Sequence, residues 1–257
     1  MGENRRVRAA FLEAHPICCF CGGGTPSATV DHQPARALFD RREWPEGYEF
    51  PACSDCNQSS KHYENVLATL VRINPANEKN DLRREEVRKY MKSMGNNFPD
   101  LLRVLSTPEK RHFFKSEGIS RNPNIPYQEL HMVGIESELA QTSIDHVLKK
   151  LMRALHYKHT GQIVRSDAGL FLQWITNAYG HYGKDFEPFV NALGGRPVLK
   201  RNGRLLHDQF FYHYGTDHSA GDGFSAYAFF FRASFMAVGA LSCDPKLLLS
   251  WEDEDQA

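Results

Sequence analysis

This chain has no run of apolar residues long enough to cross a bilayer, and its first sixteen residues, MGENRRVRAAFLEAHP, carry basic side chains without the apolar core of a secretory leader. It has no surplus of either charge, with 31 Lys and Arg against 31 Asp and Glu, so composition offers no overall attraction to nucleic acid. Internal repeats and low-complexity tracts are absent as well. These absences exclude a membrane span and a disordered polyelectrolyte. The 257 residues, 41% of them hydrophobic, suffice for an ordinary core in one or two domains. A soluble, cytoplasmic protein with no membrane partner is the expectation. Cysteine is scarce too, six in all, but five of the six fall between Cys18 and Cys56 and only Cys243 lies beyond. In a reducing compartment, thiols so gathered are metal ligands or redox groups more often than disulfides.

Patterning divides the chain into three segments of an α+β protein. Residues 1–75 open with an amphipathic helix from Arg5 to His15, where Val7, Ala10, Phe11 and Ala14 recur at helical spacing until Pro16 stops it. A loop rich in Cys and Gly, a short strand Thr29–His32 and a loop or hairpin from Asp40 to Pro51 follow. From Ser54 the pattern turns helical, with Tyr63, Val66, Leu67, Leu70 and Val71 on one face. Residues 76–128, past the polar Asn74–Lys79 stretch, read as a basic helical connector with helices over Asp81–Met94 and near Leu101–Leu105. Between Lys61 and Arg121 there are 13 Lys and Arg against 8 Asp and Glu, either a solvated helix face or a surface that tracks phosphates.

Residues 129–257, beyond the Arg121–Pro126 boundary, form an α+β region. A long amphipathic helix lies within Ile135–Tyr157, a second helix is expected over Leu170–Ala178, and Asn202-Gly203 between two apolar pairs signals a hairpin. Strands are expected over Gln209–Tyr214 and Ala226–Ala240. Their aromatics, including Phe210, Phe211, Tyr212, Phe229, Phe230, Phe231 and Phe235, belong to a sheet core rather than to a base-stacking platform. The other histidines, among them His156, His159, His181, His213 and His218, show no His-Glu-x-x-His arrangement and fill ordinary polar roles.

Two knuckles, Cys18-x-x-Cys21 and Cys53-x-x-Cys56, have the spacing at which thiolates from a tight turn approach one tetrahedral ion, and two such knuckles make a four-cysteine zinc site. Cys19 is an alternative to Cys18 as ligand. The 31 residues between the knuckles exceed the spacer of a compact zinc ribbon, which places a functional element between them. That element contains Val30-Asp31-His32, and the second knuckle runs directly into Asn57 and then Lys61.

This order of residues resembles the HNH, or ββα-metal, endonuclease family over roughly the first quarter of the chain. The resemblance implies a strand ending in Asp-His, a second strand crossing back, a helix starting at the second knuckle, a structural zinc and a separate catalytic Mg²⁺ or Mn²⁺. It casts His32 as general base, suited by a pKa near neutrality, and Asp31 and Asn57 as oxygen ligands of the hard catalytic cation. Lys61, four residues after Asn57, would share its helix face and reach a phosphate oxygen; His62, about 100° further round, is a weaker phosphate contact.

The family places an asparagine about nine residues before the Asn57 position, to fix the loop that holds the catalytic histidine. Tyr48 stands there in this chain, which calls for a shifted hairpin or a different bond, or else weakens the activity. The expected function is metal-dependent hydrolysis of DNA leaving 5′-phosphate and 3′-hydroxyl ends. The alternatives are a non-catalytic zinc module that binds nucleic acid and an RNA-cleaving effector with the same site. Residues 129–257 would recognise substrate, bind a protein partner or self-associate, and their sequence does not choose among these.

Overall fold

A computed structural model of the chain describes residues 3–73, 81–98, 103–116, 123–129, 133–134, 138–176, 186–217, 223–232, 234–244 and 248. Helix α1 (Glu3–Ala14) leads, through the Cys-rich loop, into β1 (Thr29–His32), single 3-10 turns at Arg36–Leu38 and Asp40–Arg42, β2 (Glu49–Ala52), α2 (Ser54–Gln58) and α3 (Lys61–Leu70). Next come α4 (Asp81–Asn97), β3 (Arg103–Val104), α5 (Thr107–Ser116), β4 (Val133–Gly134) and the 23-residue α6 (Glu138–Thr160). The last elements are β5 (Gly169–Thr176), α7 (Glu187–Ala192), β6 (Lys200–Arg201), β7 (Arg204–Leu205), β8 (Phe210–Asp217), β9 (Phe224–Phe231) and β10 (Phe235–Ser242). The architecture is mixed helix and sheet, in the α+β class. No helix among the described residues is long and apolar enough to cross a membrane.

Two elements depart from the patterning. Residues 170–176 form the strand β5, not a helix, and residues 177–178 lie outside the described part. Leu170, Phe171, Leu172, Trp174 and Ile175 suit either period, but β5 pairs along its whole length with β10, so the ladder decides. Near Leu101–Leu105 the expected helix is replaced by β3, whose Arg103 and Val104 pair with Gly134 and Val133; the helix comes later, as α5. The Asn74–Lys79 boundary, His181 and His218 lie outside the described residues.

The C-terminal sheet has the order β5-β10-β9-β8, antiparallel throughout. Phe210, Tyr212, Phe229, Phe231 and Phe235 are buried in it, as expected of aromatics on inward-facing sheet positions. Phe230, stacked on Phe211 with ring centroids 4.5 Å apart, belongs to a second apolar cluster with Phe189 and Val190 of α7. Helix α6 buries Ile144, Val147, Leu148, Leu151, Met152 and Leu155 and packs against the apolar stripe of α3 on one side and the sheet on another. One buried core therefore runs from Cys18, Phe39 and Phe50 through α3 and α6 to Phe231 and Leu241.

Polar groups cross the same boundary. Tyr48 of the N-terminal segment shares a buried hydroxyl contact of 2.9 Å with Tyr212 of β8, and the Tyr212 hydroxyl lies 2.9 Å from His159 Nε2 of α6. His159 is stacked on Tyr214 and its pKa is lowered to about 4, first by burial and then by Lys158. A ring that stays neutral in the fold but protonates near 6.5 when unfolded favours unfolding as pH falls between those values. Stability should therefore fall from about pH 6.5 to about pH 4 by roughly 1–2 kcal/mol on this group's account, discounted because the ring is only part-buried. His159→Gln should flatten that part of a melting-temperature-against-pH profile, and an unchanged slope would contradict this role.

Candidate metal centre and catalytic site

The first knuckle is shaped by its backbone. Cys18 N–H donates to the Thr25 carbonyl at 2.9 Å, and the Phe20 amide points at Cys18 Sγ at 3.4 Å. Gly22 has φ +75°, and a Cβ there would lie 2.6 Å from the Ser166 nitrogen, so only glycine lets the knuckle turn and the 165–168 loop approach. In the second knuckle, Cys53 is the N-cap of α2 and its Sγ accepts from the Cys56 amide at 3.4 Å.

These turns bring Cys18, Cys21, Cys53 and Cys56 together, with all four sulfur atoms within 4.8 Å of one another. Tetrahedral zinc with bonds of about 2.3 Å holds sulfurs about 3.8 Å apart, so the cluster fits that ion with small adjustment. Burial pushes the Cys56 thiol above its ordinary range, a cost that a coordinated cation removes by binding the thiolate outright. Cys19 is buried but outside the cluster, and burial first, then Cys18, pushes its thiol up; it is a small core residue. Four thiolates around one zinc leave two negative charges, and α6 presents two cations nearby: Arg153, which interacts electrostatically with Cys56 and Cys21, and Lys150.

β1 and β2 pair in the register Thr29↔Ala52, Asp31↔Phe50 and His32↔Glu49, with α2 following at once, so the order is strand, strand, helix. Asn57 lies on α2, and its Nδ2 donates to Thr29 Oγ1 at 2.9 Å and to the Val30 carbonyl at 3.5 Å, tying the helix to β1. Asp31 is only 6% exposed. Its Oδ1 accepts the His32 amide at 2.7 Å, and its Oδ2 lies 2.5 Å from Lys150 Nζ. The same ammonium donates to the Cys56 carbonyl and to Ser60 Oγ, each at 2.7 Å, so its charge is matched by Asp31 and two of its protons by neutral acceptors. Ser60 Oγ in turn donates to Glu64 Oε1 at 2.6 Å.

His32 is half-buried at the end of β1, its ring 4.4 Å from the Trp44 ring and edge-on to it. Burial, then the Arg36 guanidinium, lowers its pKa from the ordinary value, with Arg201 acting the same way against Glu49 and Asp31. The imidazole is thus neutral and able to accept a proton. The Tyr48 side chain is turned into the core, but the Tyr48 carbonyl accepts the Gln33 amide at 3.2 Å. The backbone at this position therefore holds the loop after His32, whatever side chain it carries. Lys61 and His62 are exposed at the start of α3, where His62 packs on Tyr63. The lysine that reaches Asp31 is Lys150, more than a hundred residues away in sequence, and the hairpin residue Arg201 faces His32. Neither carries a local motif that a sequence reading could use.

Comparison of the chain with protein-family models, with curated proteins and with solved structures finds no match in any of the three. What the structure carries of the HNH resemblance is the four-thiol cluster, positioned to bind a metal such as zinc.

The purified protein should hold one zinc per chain by metal analysis. Cys53→Ser should lose it together with the cooperative unfolding of the N-terminal segment, while Cys19→Ser keeps it. Zinc retained by Cys53→Ser would refute the four-thiol site. Lys150→Met leaves Asp31 buried without its cation and should cost about 3–5 kcal/mol in denaturant unfolding, part of which Asp31→Asn in the same chain restores. Additive losses from the two substitutions would show that the pair is not coupled.

Proposed function

We propose that the chain is an HNH-type endonuclease that hydrolyses phosphodiester bonds, with DNA the favoured substrate. The observation that carries this reading is the neutral His32 at the end of a strand whose neighbours are the four-thiol cluster and the Asn57 helix. Phosphodiester hydrolysis needs a water, a base for its proton and cations to neutralise the phosphorane. His32 takes the proton.

Asp31 and Asn57 offer a carboxylate and an amide oxygen, the hard donors that suit Mg²⁺ or Mn²⁺ better than zinc. When bound, that ion neutralises charge on the phosphorane and on the leaving oxygen. The donor chemistry fits, and the bonds that tie Asn57 to β1 use its Nδ2, not its Oδ1. The ion shares Asp31 with a competitor, because Lys150 already sits on Oδ2. That ion pair favours a second reading, a zinc module that binds nucleic acid without cutting it.

The deciding experiment is digestion of duplex DNA, single-stranded DNA and RNA side by side, with Mg²⁺ or Mn²⁺, by the wild type and by His32→Ala. The variant should keep its zinc and lose at least about a hundredfold in cleavage rate. Full cleavage by His32→Ala would overturn the assignment of the base. Binding without turnover across all substrates and metals would select the non-catalytic module, and turnover of RNA alone would make the protein a ribonuclease.

A further inference from the structure

The groups facing His32 are not all from the first quarter of the chain. Trp44 stands beside the imidazole, and two guanidiniums lie over its indole: Arg36 Cζ at 3.9 Å and Arg201 Cζ at 4.2 Å. Arg36 comes from the 3-10 turn after β1, and Arg201 from the β6–β7 hairpin. Asn202 and Gly203 give that hairpin its turn, with φ of 50° and 77°. It is bolted to the N-terminal segment at three points: Glu46 N–H to the Lys200 carbonyl at 3.0 Å, Asn202 N–H to Glu46 Oε1 at 2.8 Å, and Arg204 to Glu43 at 3.7 Å. Arg201 is thus held in place rather than waving in solvent.

Two guanidiniums on one indole repel each other, and Arg42 adds to the positive field at Arg36. The carboxylates nearby are engaged elsewhere: Glu49 accepts the Trp44 Nε1–H at 3.2 Å, and Asp31 holds Lys150. Among the described residues neither Arg36 nor Arg201 has a carboxylate within ion-pair distance, and Arg36 Nε is buried with no hydrogen-bond partner. A planar fork with unfilled N–H groups is the donor that matches the oxygens of a phosphate.

We infer that Arg36 and Arg201 form a clamp that seats a backbone phosphate of a nucleic-acid strand beside His32, so that the C-terminal hairpin contributes directly to substrate binding. The clamp rests on the reading of His32 as the base, and it extends that reading by naming the groups that position the strand. It also places three cations, Arg36, Arg42 and Arg201, together beside His32 in a chain with no net charge.

The test measures binding apart from cleavage. A fluorescein-labelled 20-base-pair DNA duplex is titrated with the full chain carrying His32→Ala, without added divalent ion, and anisotropy is followed over a range of salt. Adding Arg36→Gln or Arg201→Gln should weaken binding about tenfold and lower the slope of log affinity against log salt by about one each. Arg201→Lys, which keeps the charge but not the fork, should fall between. Zinc content and melting temperature confirm that each variant is folded. Unchanged affinity and salt slope in the folded double variant would overturn the clamp. So would inorganic phosphate binding, read by Trp44 fluorescence, that depends on both arginines while the duplex does not bind. Arginine-dependent binding in a protein that never cleaves would keep the clamp and remove the hydrolase; cleavage with unchanged kcat/KM in Arg201→Gln would do the reverse.

Discussion

The Lys150 ammonium joins the two ends of the molecule. Burying a lysine is costly unless its charge and its protons are matched, and here the partners come from three places: the ion-paired Asp31 carboxylate on β1, the Cys56 carbonyl in the second cysteine knuckle and Ser60 Oγ between α2 and α3. Those groups stay in register only while α6 lies against α3, and α6 lies there because its apolar face is buried between α3 and the sheet. The four-thiol cluster, the end of β1 and the C-terminal core are thus mutually dependent. A thiol cluster closed by local turns would otherwise stand on a short hairpin and a five-residue helix, with little apolar surface of its own to bury.

The same dependence explains which parts of the site can be read from the sequence. The knuckles, β1 and the Asn202-Gly203 turn are visible because their chemistry is local: ligand spacing, alternation and a dipeptide that accepts positive φ. The long helix α6 is visible through its period, and the aromatic strands through their composition. What is hidden is what those elements bring to the site. Lys150 is one lysine on a helix that also carries Lys149 and Lys158, and nothing local says that it is the one turned inward. Arg201 is an ordinary hairpin residue until the hairpin docks on Glu43 and Glu46. β5 departs from its helical pattern for the same reason, since a stretch of Leu, Phe and Trp takes the form its neighbour imposes, and β10 offers an open ladder. Tyr48 shows the converse: the substitution looks damaging when side chains alone are compared, whereas the bond that steadies the His32 loop comes from the backbone carbonyl.

These contacts also settle the electrostatics at His32. The residue beside it in sequence is an aspartate, and across the strand pair stands a glutamate, an environment that by itself would raise the pKa of an imidazole and charge it near neutrality. The shift goes the other way. Burial disfavours the imidazolium, Asp31 has its charge matched by Lys150, Glu49 is engaged by the indole of Trp44, and Arg36 and Arg201 face the ring unmatched. An imidazole kept neutral by burial first and by nearby cations second also stands where an anion is attracted, and an anion that arrives offsets those cations. In the proposed reaction that anion would raise the affinity of His32 for a proton once the phosphate is in position, which is when a general base accepts one. Two of the groups responsible, Lys150 and Arg201, come from the C-terminal half, so the chemistry available at β1 is set by residues that the first quarter of the chain does not contain.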